Sequence, residues 1–392
     1  MSVTATGKPL RVFLVAGEES GDRLGAPLMR ALRERRKDVT FFGVGGAQMQ
    51  GEGLTSLFPI SDLAVMGFNA VARKLPLIFR RIRETVRAVI ATHPDVLVII
   101  DSPDFTHRVA RRVRKLAPSI PIVNYVSPSV WAWRPGRARS MRRYVDHVLA
   151  LLPFEPQAHE RLGGPPCSYV GHPLAEIAPQ LRPNEAEAAR RRADPPILLL
   201  LPGSRASEIK RLFGVFSETV EELGRRLGPI EIVIPTVPHL EAAVQAEVAA
   251  WAREPRIISD PDKKQAAFRV ARAALTKSGT VTLELAVAGV PMVAAYKVSA
   301  IEAAVGRRVI KGSSVILANL VLGENAVPEF LQEDCTVQNL TQALVPLLTS
   351  SPERRAQFDA FARLDALMEI GIAQPSARAA EIVLREAVKS RS

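Results

Sequence analysis

The run ILLLLPGSRASEI, residues 197–209, decides the fold. Ile197–Leu201 is a short, continuous aliphatic run without polar alternation, so it reads as a strand buried on both faces. Pro202 and Gly203 break it, and Ala206-Ser207-Glu208-Ile209 opens a helix. Strand, glycine turn and helix in that order form the repeating unit of a parallel, doubly wound sheet.

The same pattern recurs in both directions from this point. Downstream, strands are predicted at Ile230–Pro235, Arg256–Ser259, Ala273–Thr276 and Val290–Ala295. Upstream they are predicted at Leu10–Ala16, Thr40–Val44, Val96–Ile100, Ile122–Val126 and His147–Leu151. Helices separate the upstream strands, over about Leu24–Arg36, from Pro76 onward as a first helical position, over Thr106–Leu116 and around Arg137–Tyr144. A chain of 392 residues is too long for one ordinary core. The alternation lapses in a proline- and charge-rich stretch, which divides the chain. We therefore expect a first Rossmann-like domain over 1–174, a linker over 175–196, and a second Rossmann-like domain over 197–350. Strandless helices over 351–392 must dock elsewhere, for instance back on the first domain. Two such α/β sheets face each other across a cleft at the carboxyl ends of their strands, where these folds bind ligands.

Composition narrows the chemistry. With 47% hydrophobic and 23% charged residues the chain is globular, neither disordered nor fibrous. Its net charge is +12, which favours anionic partners: nucleic acid, lipid headgroups or phosphorylated substrates. Arginines concentrate in the N-terminal half, at Arg80, Arg81, Arg83 and Arg87, then Arg108, Arg111, Arg112 and Arg114, then Arg134, Arg137, Arg139, Arg142 and Arg143. No motif for nucleic acid and no basic stripe interleaved with aromatics accompanies them, so nucleic acid is not expected as a partner. Two cysteines, Cys167 and Cys335, give neither a disulfide framework nor metal spacing, and point to a reducing cytoplasm. No secretory leader pattern opens the sequence and no apolar run approaches ~20 residues, so any membrane contact is expected to be peripheral.

The residues just past each strand carry the candidate chemistry. Pro202-Gly203-Ser204-Arg205 offers a close backbone approach, helix-start N–H groups for phosphate oxygens, and a guanidinium clamp. An ordinary strand–helix turn with a solvated arginine would look the same. Lys277-Ser278-Gly279-Thr280-Val281-Thr282-Leu283-Glu284 repeats the design. Ser278, Gly279 and Thr280 suit a diphosphate, and Glu284, a turn later, suits a ribose diol. A capping box fits Thr280 poorly, because the glutamate comes one residue late. Gly43-Val44-Gly45-Gly46-Ala47-Gln48 fails as a dinucleotide fingerprint. In Ile100-Asp101-Ser102-Pro103-Asp104-Phe105, Asp101 past a buried strand is a candidate general base, whereas Asp104 reads as a helix N-cap.

Tyr125-Val126-Ser127-Pro128-Ser129-Val130-Trp131-Ala132-Trp133-Arg134 would stack a sugar or acyl chain, or simply pack. Met66, Phe68, Leu77 and Phe79 among Arg73 and Lys74 describe a surface for anionic headgroups, although Phe79, Ile82, Val86 and Val89 would equally make a core-facing stripe. There is no HExxH pair and no His/Cys cluster. Neither a metal nor another cofactor is expected, and leaving-group charge would fall to amide dipoles and cations.

These segments together, VAGEESGDRLGA, GVGGAQMQGEG, LAVMG, PDVLVIIDSPDF, NYVSPSVWAWR, LLPFE, YVGHPL, LLPGSRASEI, SGTVTLE and LANLVLGENAVPEFLQE, resemble the lipid-A-disaccharide synthase family in content and order. The resemblance spans Val15 to Glu333 and implies a GT-B glycosyltransferase. It implies transfer from UDP-2,3-diacylglucosamine to 2,3-diacylglucosamine 1-phosphate through a β-1,6 bond, by an inverting, metal-independent enzyme peripheral to the cytoplasmic face of the inner membrane. On that reading Asp101 is the base and Glu18 supports the acceptor. Ser204, Arg205, Ser278, Gly279, Thr280 and Glu284 hold UDP, with Asn319 and Gln332 closing the site. A homodimer exchanging C-terminal elements is also implied. Ala70 stands where the family usually has glutamate in a Gly-x-x-Glu-Val pattern, and GVGGAQ lacks the usual proline, so no catalytic role is assigned to Met66–Val71. Rival readings are another GT-B enzyme of UDP-N-acetylglucosamine, either a lipid-carrier transferase or a 2-epimerase.

Overall fold

The computed structural model describes residues 9–63, 68–249, 251, 254–298, 314–372 and 374–389. The chain forms two compact units, the first comprising Met1–Pro173 with Ala373–Ser392 and the second Leu174–Ile372.

In the first unit, six parallel strands run in the order β2-β1-β3-β4-β5-β6. They are β1 (Leu10–Ala16), β2 (Val39–Val44), β3 (Val96–Ile100), β4 (Ile122–Tyr125), β5 (His147–Ala150) and β6 (Cys167–Tyr169). Central strand β3 is apolar throughout and every one of its residues is buried, because helices cover both faces of the sheet. These helices are α1 (Glu19–Arg35), α2 (Ala47–Gly51), α3 (Phe68–Thr92), α4 (Pro103–Leu116), α5 (Gly136–Met141) and α6 (Glu155–Arg161). The sheet changes direction of growth between β1 and β3, so the crevice outside their carboxyl ends is the expected ligand position. Helix α3 starts well before Pro76, which lies inside it.

The second unit begins with α7 (Leu174–Leu181) and α8 (Glu185–Arg192), so most of the stretch read as a linker is helical. Asn184 and Glu187 form a capping box at the start of α8. The second sheet runs β12-β11-β10-β7-β8-β9, all parallel. Its strands are β7 (Ile197–Leu201), β8 (Glu231–Pro235), β9 (Arg256–Ile258), β10 (Ala273–Lys277), β11 (Met292–Tyr296) and β12 (Glu329–Leu331). This is the Rossmann order, with the switch point between β7 and β10. Among the described residues its further α-helices are α9 (Ala206–Leu227), α10 (Glu241–Val248), α11 (Pro261–Val270), α12 (Val281–Val287), α13 (Leu317–Leu322), α14 (Val337–Leu348) and α15 (Pro352–Leu367).

The last helix, α16 (Pro375–Lys389), belongs to the first unit. Its Ala379, Ala380, Val383 and Ala387 lie in the same core cluster as Leu28 and Leu32 of α1. Helix α15 instead stays on the second sheet, where buried Gln357 exchanges hydrogen bonds with the N–H and C=O of Met292 at 2.8 and 3.0 Å. No helix among the described residues is long and apolar enough to cross a membrane.

Candidate active site

In the first unit, the switch point holds Asp101 in an unusual backbone. Asp101 and Ser102 both adopt positive φ, 53° and 45°, a left-handed pair that non-glycine residues keep only under tertiary constraint. The constraint comes from the start of α1. A Cβ on Gly17 would sit 2.5 Å from the Ser102 Cβ, and one on Gly21 3.1 Å from the Ile100 carbonyl oxygen. Glycine at both places lets the helix start press against the end of β3. Ser20 then donates its hydroxyl to Asp101 Oδ2 at 2.7 Å, while the Ser102 N–H donates to Oδ1 at 2.8 Å. A carboxylate offers about four lone-pair sites, so this leaves Asp101 room to accept a substrate hydroxyl. Glu18 is exposed at the N-cap of the same helix and makes no capping bond. Asp104 is not the N-cap of α4, because Pro103 already starts the helix and Ser102 takes that position.

The glycine run at 43–46 is not an anion cradle. Buried Asp22 already accepts the N–H groups of Gly46, Gln48 and Met49 at 2.8–3.0 Å. A protein carboxylate thus occupies the place a phosphate would take.

The two tryptophans of the 125–134 segment separate. Trp131 packs edge-on against Phe154 and donates from Nε1 to Glu155 Oε1 at 3.2 Å. Trp133 is 42% exposed, with Arg134 and Arg137 over its ring at 4.4 and 5.8 Å. Glu155, the last residue of the LLPFE segment and given no role there, also accepts the N–H groups of Leu151 and Leu152. Burial pushes its carboxyl up to about 7, against the pull of the Leu152, Trp131 and Leu151 donors. The folded protein therefore keeps this proton between about pH 4.5 and 7 while the unfolded chain loses it, so stability falls as pH rises through that window. Glu155→Gln removes the titration. The stability difference between wild type and variant should move against wild type by up to about 3 kcal/mol across the window and stay level above it. Urea melts of both proteins at a series of pH values check this, and parallel curves would sink it.

In the second unit, the two predicted turns are brought side by side, because Leu201 of β7 pairs with Thr276 of β10. Gly203 has φ +122°, a conformation open essentially to glycine alone. Glu208, on the first turn of α9, reaches back to accept the Ser204 N–H at 3.1 Å and Arg205 Nη1 at 3.3 Å. Lys277 Nζ, at the end of β10, lies 3.1 Å from the same carboxylate. Glu208 and Lys277 therefore tie the two turns together, a role the sequence reading did not give them. With Ser204 taken, the N–H groups of Arg205, Ala206 and Ser207 are left without partners among the described residues. The N–H groups of Gly279, Thr280 and Val281 are likewise unbonded, and Thr280 makes no side-chain cap. Two adjacent helix starts present unsatisfied donors, and Arg205 is exposed beside one of them.

Other expected ligand contacts have protein partners. Ser278 donates its N–H to the Ala295 carbonyl and its hydroxyl to that of Val315. It holds the turn in place and brings no free donor to it. Glu284 is paired with Lys264 at 2.6 Å. Asn319 is 1% exposed, and its amide closes a two-bond clasp on Val327 at 2.9 Å each way. Gln332, at φ +50°, clasps Val298 through both ends of its amide. Both residues shape the segments around the turns through these clasps.

Of the expected membrane-facing residues, Met66 lies outside the described residues, as do the side chains of Phe68, Arg73 and Lys74. On α3, Ile82, Val86 and Val89 are buried, but Phe79 is 38% and Leu75 40% exposed, so Phe79 is not part of the core stripe. Leu77 is half-buried. Leu75, Phe79, Arg83 and Arg87 follow at four-residue spacing on one exposed face.

Two Rossmann-type units, each built on a six-stranded parallel sheet, make up the GT-B architecture. The same architecture is seen in UDP-GlcNAc 2-epimerase from Neisseria meningitidis bound to UDP-GlcNAc, with TM-score 0.63 at 13% identity over 97% of this chain and 100% of that one. It is also seen in Acinetobacter baumannii MurG, with TM-score 0.57 at 16% identity over 96% and 100%. Within that class the chain belongs to the lipid-A-disaccharide synthetase family, whose profile matches residues 12–383. It is 64% identical to the lipid-A-disaccharide synthase of Nitrobacter hamburgensis over 99% of this chain and 98% of that one. The corresponding Rhodopseudomonas palustris HaA2 enzyme is 61% identical over 97% of both. The protein is accordingly a UDP-sugar glycosyltransferase of lipid A biosynthesis.

Proposed function

We propose that the enzyme joins UDP-2,3-diacylglucosamine to 2,3-diacylglucosamine 1-phosphate through a β-1,6 bond with inversion at the anomeric carbon. The first unit serves the acceptor. Asp101 takes the proton of the 6-hydroxyl as its oxygen attacks C1, and Glu18 orients the acceptor from the start of α1. The second unit serves the donor. As the bond from C1 to the diphosphate breaks, the electron pair and growing negative charge pass to UDP. The N–H groups of Arg205–Ser207 and Gly279–Val281 and the Arg205 guanidinium stabilise that charge. Ser204, Ser278 and Glu208 with Lys277 hold the turns, Glu284 faces the ribose, and Asn319 and Gln332 fix the surrounding segments.

The exposed Leu75–Phe79 face of α3 and the arginines beyond it meet an anionic membrane at the cytoplasmic face of the inner membrane. The observation that most supports this reading is the pair of adjacent helix starts with unbonded N–H groups. Mass-spectrometric assay of the purified enzyme with the diacylated pair tests it. Disaccharide 1-phosphate and UDP should form in equal amounts, the new linkage should be β by NMR, and turnover should survive EDTA. Turnover of unacylated UDP-N-acetylglucosamine in preference to the acylated donor, or an α linkage, would overturn the assignment.

A further inference from the structure

The second unit has a hollow of about 590 Å³ at the end of its sheet opposite the two turns. Arg191 and Arg192 end α8 just before β7, and Ser351 caps the start of α15. Arg191, Arg192, Arg354 and Arg355 line the hollow with Ser351 and Phe358, and no aspartate or glutamate is among the lining residues.

The four guanidiniums are held in different ways. Arg191 is fixed by four backbone carbonyls, those of Phe268, Arg269, Ala288 and Gly289, at 2.8–3.1 Å. Arg354 lies 5.5 Å over the Phe358 ring and reaches the Thr349 carbonyl only at 3.5 Å. Its Nε is buried without a partner. Arg192 and Arg355 are exposed, and neither side chain has a hydrogen bond or ion pair among the described residues. Arg272, buried behind the hollow, adds a further positive charge that is bonded to Asp194 and three carbonyls.

The charges act on one another. Burial and then the Arg354 charge lower Arg191 to about 10, and burial and then Arg272 lower Arg354. Like charges so placed repel, and a buried Nε–H without an acceptor is costly. A tetrahedral oxyanion offsets the repulsion, since guanidiniums bind phosphate oxygens in bidentate pairs.

We propose that this hollow is a second anion site, distinct from the turns after β7 and β10. It takes a phosphate-bearing ligand between Arg192, Arg354 and Arg355, with the fixed charge of Arg191 behind it. Its volume is ample for a phosphate with an attached group and falls in the usual range of small-ligand pockets. Phe358 gives that group an apolar wall.

The test is calorimetric titration of the intact protein with pyrophosphate at constant ionic strength, with UDP saturating so that the turns after β7 and β10 are filled. Saturable binding is expected. It should weaken by about ten-fold or more in the R192A/R355A double variant, the effect of losing two charge-assisted contacts. R205A should leave it unchanged, and the double variant should keep wild-type circular dichroism and turnover. Absence of binding in wild type, equal binding by the double variant, or loss in R205A alone would each overturn the proposal. Sedimentation with phosphatidylglycerol and phosphatidylcholine vesicles then identifies the source of the phosphate. Loss of phosphatidylglycerol-specific retention in R192A/R355A assigns the site to a lipid headgroup. Unchanged retention alongside lost pyrophosphate binding assigns it to a soluble phosphate compound.

Discussion

Asp101→Asn is expected to lower the turnover of disaccharide formation by about 10²–10⁴-fold, the range typical for removing a general base. The substitution isolates proton acceptance from shape. Asparagine has the same outline, tolerates the left-handed backbone almost as well as aspartate, and can still accept the Ser102 N–H through its Oδ1. Only the oxygen facing Ser20 becomes an NH₂, and the Ser20 hydroxyl can turn to accept from it. The backbone pair at 101–102 and the glycine contacts from Gly17 and Gly21 are untouched. Melting temperature should therefore change little, KM for both substrates should stay within about three-fold, and the loss should fall on kcat. An asparagine variant with wild-type kcat would remove Asp101 from proton transfer. The left-handed turn would then be no more than a feature of how α1 meets β3.

How far the site could be read from the sequence depends on how far apart its parts lie in the chain. The strands β1, β3 and β7 have the bounds expected from their apolar runs, because a strand buried on both faces needs nothing but local composition. The helix starts after β7 and β10 were legible for the same reason. The three-residue strands β6 and β12 lack the aliphatic pair, Ile257-Ile258, that marks the equally short β9 in the sequence. The start of α3 was lost because Pro76 invited a boundary that tertiary packing ignores. Helix α8 does have a local signal, because Asn184 with Glu187 three residues later is a capping-box pattern.

The bonding of Ser278, Asn319 and Gln332 is a different case. Their residue types suit a ligand, but their partners Val315, Val327 and Val298 are set by tertiary pairing. Glu208 and Lys277 meet only because β7 and β10 are neighbours across the switch point. Nothing local in either segment announces the pair. Glu155 was hidden in the same way, since its value comes from burial against Trp131 and the 151–152 backbone.

Gly203→Ala should lower UDP affinity by at least about ten-fold and lower the melting temperature by about 5 °C. Two separate constraints produce this. The φ of +122° is one an alanine adopts only under strain, at about 1–3 kcal/mol. A Cβ would also stand 2.3 Å from Glu208 Oε2 and 2.9 Å from the Glu208 Cβ, so the carboxylate cannot stay. If it swings away, the Ser204 N–H and the partly buried Lys277 lose their shared acceptor. If the turn relaxes its φ instead, the N–H groups of Arg205–Ser207 point elsewhere. Either route disturbs the donor site, and each kcal/mol corresponds to about 2–4 °C in a unit of this size. Gly279→Ala is the matched control. Its Cβ would meet only Lys277 Nζ at 3.7 Å, an ordinary contact. That variant should melt within about 1 °C of wild type, because surface changes free of clashes are close to neutral. It should still bind UDP more weakly, since its methyl group would project into space left open for the diphosphate. Calorimetry with UDP and thermal melts of both variants decide the matter. A Gly203→Ala protein with wild-type melting and affinity would show that Glu208 does not link the two turns. A Gly279→Ala protein with undiminished UDP binding would show that the diphosphate sits away from the second turn.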